Sequence, residues 1–123
     1  MAIDLIAAVG KRGQLGLGGR MPWHSLEDLR WFKQMTMGGV VVVGHNTALG
    51  LPPLPGRRVL IDYPALTPEN LELFADGAPI WIAGGAKTYA RWLPHIRHAI
   101  ITMIDYDGPA DVWMPHLWGP HKE

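Results

Sequence analysis

One acidic residue in this chain stands where its side chain has no ordinary reason to be. In RMPWHSLEDLRWFKQMT, residues 20–36, Leu26, Leu29, Phe32 and Met35 recur at helical spacing, with Trp31 at the margin of the stripe. Glu27, Arg30, Lys33 and Gln34 wind onto the opposite, wettable face. Asp28 joins neither group cleanly. It precedes Trp31, Phe32 and Met35 by three, four and seven residues, so it falls among large apolar side chains. A carboxylate there is costly unless it is hydrogen-bonded or neutralised. Two readings follow. Ser25-Leu26-Glu27-Asp28 fits the S-x-x-[DE] capping pattern, in which Asp28 reaches back to the helix start. Alternatively, Asp28 is a functional acid whose pKa is raised by its apolar surroundings. The segment alone leaves both open.

Four other stretches have types and spacing that could serve a ligand. Gly13, Gly16, Gly18 and Gly19 fall within GKRGQLGLGGRMP (10–22), a loop flexible enough for a lid, although the spacing is not G-x-G-x-x-G. Gly44-His45-Asn46-Thr47 follows an apolar run and opens a helix, where free amides and a hydroxyl can receive phosphate; an ordinary helix cap is the plainer reading. Gly84-Gly85 has the same context and admits close approach of a ligand to the backbone, or serves as a tight turn. PPLPGRR (52–58) holds two arginines on a proline-stiffened loop, suited to a carboxylate or phosphate, or simply to solvent.

The elements that must position these residues alternate. DLIAAV (4–9), VVVVG (40–44), RVLID (58–62), PIWIA (79–83) and HAIITMI (98–104) are short, apolar and rich in branched residues, as buried strands are. Helices are expected at 25–36, briefly at 46–50, from Thr67-Pro68 to about Phe74, and over AKTYARWL (86–93) up to Pro94. Such alternation implies a mainly parallel sheet covered by helices on both faces. Ligands bind such sheets beyond the carboxyl ends of the strands, which directs attention to the segments after Val9, Val43, Ala83 and Met103.

The bulk numbers narrow the class. A chain of 123 residues is read as one domain, 1–123, with 48% apolar and 18% charged residues. Eleven basic and eleven acidic residues cancel, so nothing advertises nucleic acid or an anionic membrane as partner. No run approaches a transmembrane span, and Asp4 stands where a signal peptide would be basic. The absence of cysteine removes disulfides, thiolate metal sites and cysteine nucleophiles, and accords with the cytoplasm. His95 and His98 lack the spacing and companion carboxylates of a metal site, so no metal is expected.

Taken in order, LIAAVGK (5–11), MPWHSLEDLRWFK (21–33), VVVGHNT (41–47), PLPGRR (53–58), IAGGAKTY (82–89), ITMID (101–105) and DVWMP (111–115) resemble dihydrofolate reductase. The resemblance runs from Ile3 to Pro115, is most distinctive around Trp23 and Asp28, and favours the functional acid. It implies hydride transfer from NADPH to C6 of 7,8-dihydrofolate and protonation at N5, giving tetrahydrofolate. By that resemblance Asp28 holds the pterin ring, Trp23 holds a water beside it, and Thr102 supports Asp28. Ile6, Ala7, Leu29, Phe32, Leu54 and Ala83 line the substrate, and Arg57 grips the glutamate carboxylate. Ala8 and Leu15 approach the nicotinamide carboxamide through their backbones, Gly16 also serves the cofactor, and Met21 lies on the mobile lid. Gly44, His45, Thr47, Gly84, Gly85, Ala86 and Tyr89 serve the remainder of the cofactor. Folate and antifolate-type ligands are the implied partners.

The chain also departs from the pattern. After Pro115 only HLWGPHKE follows, so the implied fold, a dihydrofolate reductase-like α/β sheet, is expected to lack the usual C-terminal hairpin. The segment between the third and fourth strands is short as well. A sheet edge is therefore expected to be exposed, covered by Trp113 and Trp118 or by a second subunit in a homo-oligomer. His45 stands where the family commonly reads the cofactor 2′-phosphate with a basic residue, so NADPH over NADH rests on Arg58 or Lys87 as substitutes. Two rival functions are a same-fold pyrimidine reductase of riboflavin synthesis and a non-catalytic folate- or nucleotide-binding protein.

Overall fold

The computed structural model describes residues 2–19, 21–23 and 26–115, and of Leu26 only the backbone. Five parallel strands form the central sheet: β1 (Ile3–Val9), β3 (Val40–Val43), β4 (Arg58–Ile61), β5 (Ile80–Ile82) and β6 (Ala99–Met103), in the spatial order β4-β3-β5-β1-β6. A separate antiparallel pair joins β2 (Gln14–Gly16) to β7 (Val112–Trp113). The helices are α1 (Leu26–Thr36), α2 (His45–Leu49), α3 (Pro68–Ala75) and α4 (Ala86–Trp92), with a 3₁₀ turn at Leu93–His95. No helix among the described residues is long and apolar enough to cross a membrane.

The middle of the sheet is its driest part. Val40, Val41, Val42 and Val43 are all buried, which requires cover on both faces of β3. Residues alternating along β1 join the same core, where Ile3, Leu5, Ala7 and Val9 pack with Ile80, Ile82, Leu71 and Trp92. Each fully buried aliphatic side chain contributes roughly 1.5–3 kcal/mol. In-register pairing sets Val40 opposite both Arg58 and Ile80, and Ala8 opposite Thr102.

Polar side chains fix the ends of the elements. Thr67 accepts a hydrogen bond from the Asn70 amide at 3.1 Å, Pro68 opens α3, and Asp76 ends it in the left-handed region at φ 50°. Arg58 donates to the carbonyls of Phe74 and Ala75, both at 2.8 Å, closing the far end of the same helix. Asp62, just past β4, accepts from Arg91 Nε at 2.9 Å and from Trp92 Nε1 at 3.1 Å, tying α4 to the end of that strand.

The elements follow the expected order, with three differences. Helix α4 gives way at Leu93 to a 3₁₀ turn that contains Pro94, since proline is tolerated at the start of a tight turn. The glycine-rich loop is not uniformly loose. Its residues 14–16 are a strand, held by β7 and by Gln14, whose buried side chain accepts from the Arg12 amide and donates to the Gly108 carbonyl at 3.1 Å. The tip at 17–19 is exposed, and there the Gly18 amide donates to Asp111 Oδ2 at 3.1 Å. Trp113 pairs with Gln14 of β2 rather than covering β6. Ser25, the expected cap of α1, and Trp118 lie outside the described residues.

Candidate active site

All five strands of the sheet are parallel, so their carboxyl ends share one edge, and the loops after β1, β3, β5 and β6 gather there. Asp28 sits in the first turn of α1 and is only 9% exposed. Burial raises its carboxyl above the ordinary range. Tyr89, on α4, is buried, and its hydroxyl donates to the Ile6 carbonyl of β1 at 2.8 Å. Burial, and then the nearby Asp28 carboxylate, push that hydroxyl well above its usual value. Tyr89 on α4 thus holds β1 by a hydrogen bond and lies within electrostatic reach of Asp28 on α1. Trp23 is buried beside it in sequence, its ring 5.6 Å from that of Tyr106, and its Nε1 has no hydrogen-bond partner among the described residues.

The apolar stripe of α1 does not face a closed core as the helical spacing implies. Leu29 is 55% exposed and Met35 is exposed, while Phe32 and Trp31 are half-buried. The deeply buried polar residues of the helix are Asp28 and Thr36. The helix therefore turns part of its apolar surface to an open cleft, a pattern that marks ligand sites rather than packing. Thr36 donates to the Phe32 carbonyl at 2.7 Å. Arg57 donates to the Pro55 carbonyl at 3.1 Å and reaches Thr36 Oγ1 at 3.5 Å, which seats its guanidinium at the carboxyl end of α1. Leu54, in the same loop, is half-buried. An open groove along the wettable side of α1 is lined by Arg30, Lys33, Gln34 and Met37.

A second cluster lies across the ends of β3 and β5. The Gly44 amide donates to the Gly84 carbonyl at 2.7 Å, and the Ala83 amide to the Val42 carbonyl at 2.9 Å. Gly84 has φ 129°, and its peptide bond to Gly85 is cis. A Cβ on Gly44 would stand 2.8 Å from Thr88 Oγ1, and one on Gly85 3.1 Å from Thr47 Oγ1. Gly44, Thr47, Gly84 and Gly85 are thus brought together, with Ala86 opening α4 next to them and Thr88, which the sequence reading missed, beneath. Gly44 caps α2 without any side-chain hydrogen bond, and Thr47 lies inside the helix. His45 is exposed at its first position. Arg58 does not substitute for it, because its guanidinium is bound to the end of α3 and stacked over Phe74 at 4.8 Å.

The remaining expected residues are placed as follows. Ala7 and Ala8 lie on β1, and Thr102 lies opposite Ala8 on β6. Leu15 and Gly16 lie on β2, Leu15 packing on the core, and Met21 is exposed just after the loop.

A model of a protein family described as dihydrofolate reductase matches residues 2–121. The chain belongs to the dihydrofolate reductase family. It is similar to dihydrofolate reductase of Neisseria meningitidis serogroup A, with 35% identity covering 98% of this chain and 83% of the relative. It is also similar to dihydromethanopterin reductase of Methylorubrum extorquens, at 33% identity over 94% of this chain and 92% of that one. Among solved structures, dihydrofolate reductase from Enterococcus faecalis, complexed with NADP(H) and RAB-propyl, superposes with a TM-score of 0.76. It has 28% identity to this chain, covering 94% of it and 79% of the structure. Membership of the dihydrofolate reductase family makes the chain an oxidoreductase and accounts for a mainly parallel sheet with its ligand edge at the strand ends.

Proposed function

We propose that residues 1–123 form one domain that reduces 7,8-dihydrofolate to tetrahydrofolate with NADPH. The carrying observation is the buried Asp28 carboxyl on α1, raised by desolvation. A single desolvated acid at the mouth of an apolar cleft suits a substrate that must be held by ring N–H donors and then protonated. NADPH, when bound, supplies the hydride that goes to C6 of the pterin. This chain's residues do the rest. Asp28 holds the pterin ring N–H and amino groups and promotes protonation at N5. Trp23, with its buried indole N–H, orients water beside that nitrogen. Thr102 supports Asp28 from β6. Ile6, Ala7 and Ala83 wall the ring, while Leu29, Phe32 and Leu54 take the tail. Arg57 takes the terminal carboxylate.

Close packing supports the cofactor cradle: the Thr88 and Thr47 hydroxyls sit where a Cβ on Gly44 or Gly85 would stand, which keeps side chains off these two turns, and α4 begins at the same place. Ala8 and Leu15 are the residues for the nicotinamide carboxamide, with Gly16 also at the cofactor and Met21 on the lid. Tyr89 holds the Ile6 carbonyl in position rather than touching phosphate.

A second reading concerns the substrate's tail. The chain spans 92% of the length of the dihydromethanopterin reductase but 83% of the Neisseria dihydrofolate reductase. Both names denote reduced pterins, so the Asp28 pocket serves either. NADPH oxidation measured side by side with dihydrofolate and dihydromethanopterin tests both. Turnover of dihydrofolate supports the first reading, and turnover of dihydromethanopterin alone the second. A folded protein that binds an antifolate but oxidises NADPH with neither would be a binding protein. The pyrimidine reductase of riboflavin synthesis has no need of the Asp28–Trp23 pocket.

A further inference from the structure

No hydrogen bond among the described residues orients the Trp23 indole, because Nε1 is its one polar atom and is buried without a partner. Packing must do it instead. The aromatic neighbour of Trp23 is Tyr106, in the loop between β6 and β7, with ring centroids 5.6 Å apart and planes inclined at 50°. Aromatic pairs attract at such separations. Neither ring belongs to the main apolar core, so their contact is not a by-product of packing there.

Tyr106 is itself held at both ends. Its hydroxyl donates to the Pro109 carbonyl at 2.6 Å, and its own carbonyl accepts from the Lys11 amide at 2.8 Å. The loop around it is clamped by Gln14 of β2, which is fully buried. The Gln14 carboxamide donates to the Gly108 carbonyl at 3.1 Å and to Asp107 Oδ1 at 3.3 Å, and its oxygen accepts from the Arg12 amide at 2.8 Å. Arg12 joins the clamp through its own bond to Asp107 Oδ1. Both polar atoms of Gln14 are thus paired, as burial demands, and they tie the turn between β1 and β2 to the loop that carries Tyr106. Two glycines admit the arrangement by close approach. A Cβ on Gly10 would stand 2.4 Å from Gln14 Oε1, and one on Gly108 2.6 Å from the Tyr106 hydroxyl.

We infer that Tyr106 is a positioning residue for Trp23: its ring sets the orientation of the indole, and Gln14 fixes the loop from which that ring projects. The consequence for the reaction rests on the function proposed above, in which Trp23 orients water beside the pterin. Tyr106 then acts on the rate through Trp23 alone, and a displacement of the indole is felt as a misplaced water.

The nuclear magnetic resonance signals of the indole N–H groups test the inference in the full chain without substrate. The chain has six tryptophans, and Trp23→Phe identifies the Trp23 signal by its loss. Tyr106→Ala should shift that signal and slow single-turnover hydride transfer from NADPH to dihydrofolate by about tenfold, with NADPH affinity within about twofold of the parent. Tyr106→Phe keeps the ring, so the signal should stay in place and the rate within about threefold. Gly108→Ala changes neither aromatic residue but presses on the Tyr106 hydroxyl, and should move the Trp23 signal as well. In the Trp23→Phe background Tyr106→Ala should slow the reaction no further, since a residue acting through another is silent once that other is gone. A Trp23 signal unmoved by both Tyr106→Ala and Gly108→Ala would overturn the inference. So would a full tenfold further loss from Tyr106→Ala in the Trp23→Phe background. A parent that oxidises NADPH with neither dihydrofolate nor dihydromethanopterin would refute the proposed function instead, and the Trp23 signal, which needs no turnover, would still decide for or against Tyr106.

Discussion

The two halves of the candidate site are built on different physics. On the α1 side the decisive feature is a side chain, Asp28, kept where water is scarce and its charge is disfavoured. On the β3–β5 side the decisive feature is the absence of side chains, since Thr88 and Thr47 pack where a Cβ on Gly44 or Gly85 would stand. On the proposed reading, the first half would use a costly group for chemistry, and the second would use backbone groups and the Thr47 hydroxyl to hold the cofactor. Substitutions should separate accordingly, changing chemistry on one side and cofactor affinity on the other.

Asp28→Asn gives the largest expected effect. Hydride transfer should fall by about 10²–10⁴-fold at neutral pH, while NADPH affinity stays within about twofold of the parent. The same substitution should not unfold the chain. The folded state holds the Asp28 proton more tightly than the unfolded chain does. Stability contributed by that proton is present at low pH and lost as pH rises from the ordinary carboxyl range through the raised value. At neutral pH the asparagine variant should therefore be as stable as the parent, or more so by about 1 kcal/mol, in urea titration. A variant that is both inactive and strongly destabilised would place Asp28 among structural residues.

Gly84→Ala addresses the other half. Alanine at φ 129° is strained, and its methyl would come within 3.5 Å of the Tyr89 hydroxyl. A cost of about 1–3 kcal/mol is expected in denaturant titration, with NADPH binding weakened roughly tenfold by fluorescence titration. If hydride transfer at saturating cofactor fell as far as in Asp28→Asn, the two halves would not be separable. His45→Arg should raise the preference for NADPH over NADH, measured as the ratio of kcat/KM values, by up to about tenfold, with dihydrofolate affinity unchanged. Equal use of both cofactors by parent and variant would remove His45 from the 2′-phosphate site.

Tyr89→Phe lies where the halves meet and should have the smallest effect. It leaves the Ile6 carbonyl without its buried donor, costing about 1–2 kcal/mol of stability and only a few-fold in rate. A loss as large as that of Asp28→Asn would make Tyr89 a catalytic residue instead of a positioning one.

The halves also differed in how legibly they were written in the sequence. Asp28 was visible because helical spacing set it among Trp31, Phe32 and Met35. The same spacing set Leu29 on that stripe but left its burial open, because periodicity reports which residues share a face and says nothing of whether that face meets core or cleft. The five parallel strands were legible from apolar runs such as Val40–Val43. Strands β2 and β7 were not, since three and two residues leave no pattern and their pairing joins positions about a hundred residues apart. Glycine pairs marked the cofactor half, yet Thr88 was hidden because a threonine inside a helix carries no signal of what its hydroxyl packs against. Arg58 looked available for phosphate in the sequence. Its engagement with the end of α3 depends on a tertiary contact that no local pattern records.

The measurement that bears most directly on Asp28 is the pH dependence of single-turnover hydride transfer from NADPH to dihydrofolate, in the parent and in Asp28→Asn. The parent rate should decline as pH rises past the raised carboxyl pKa, and the variant should be slow throughout without that decline. A parent rate that stays flat between acid and alkaline pH with chemistry rate-limiting, or a variant that keeps the parent's profile, would contradict the assignment of Asp28 as the acid of this site.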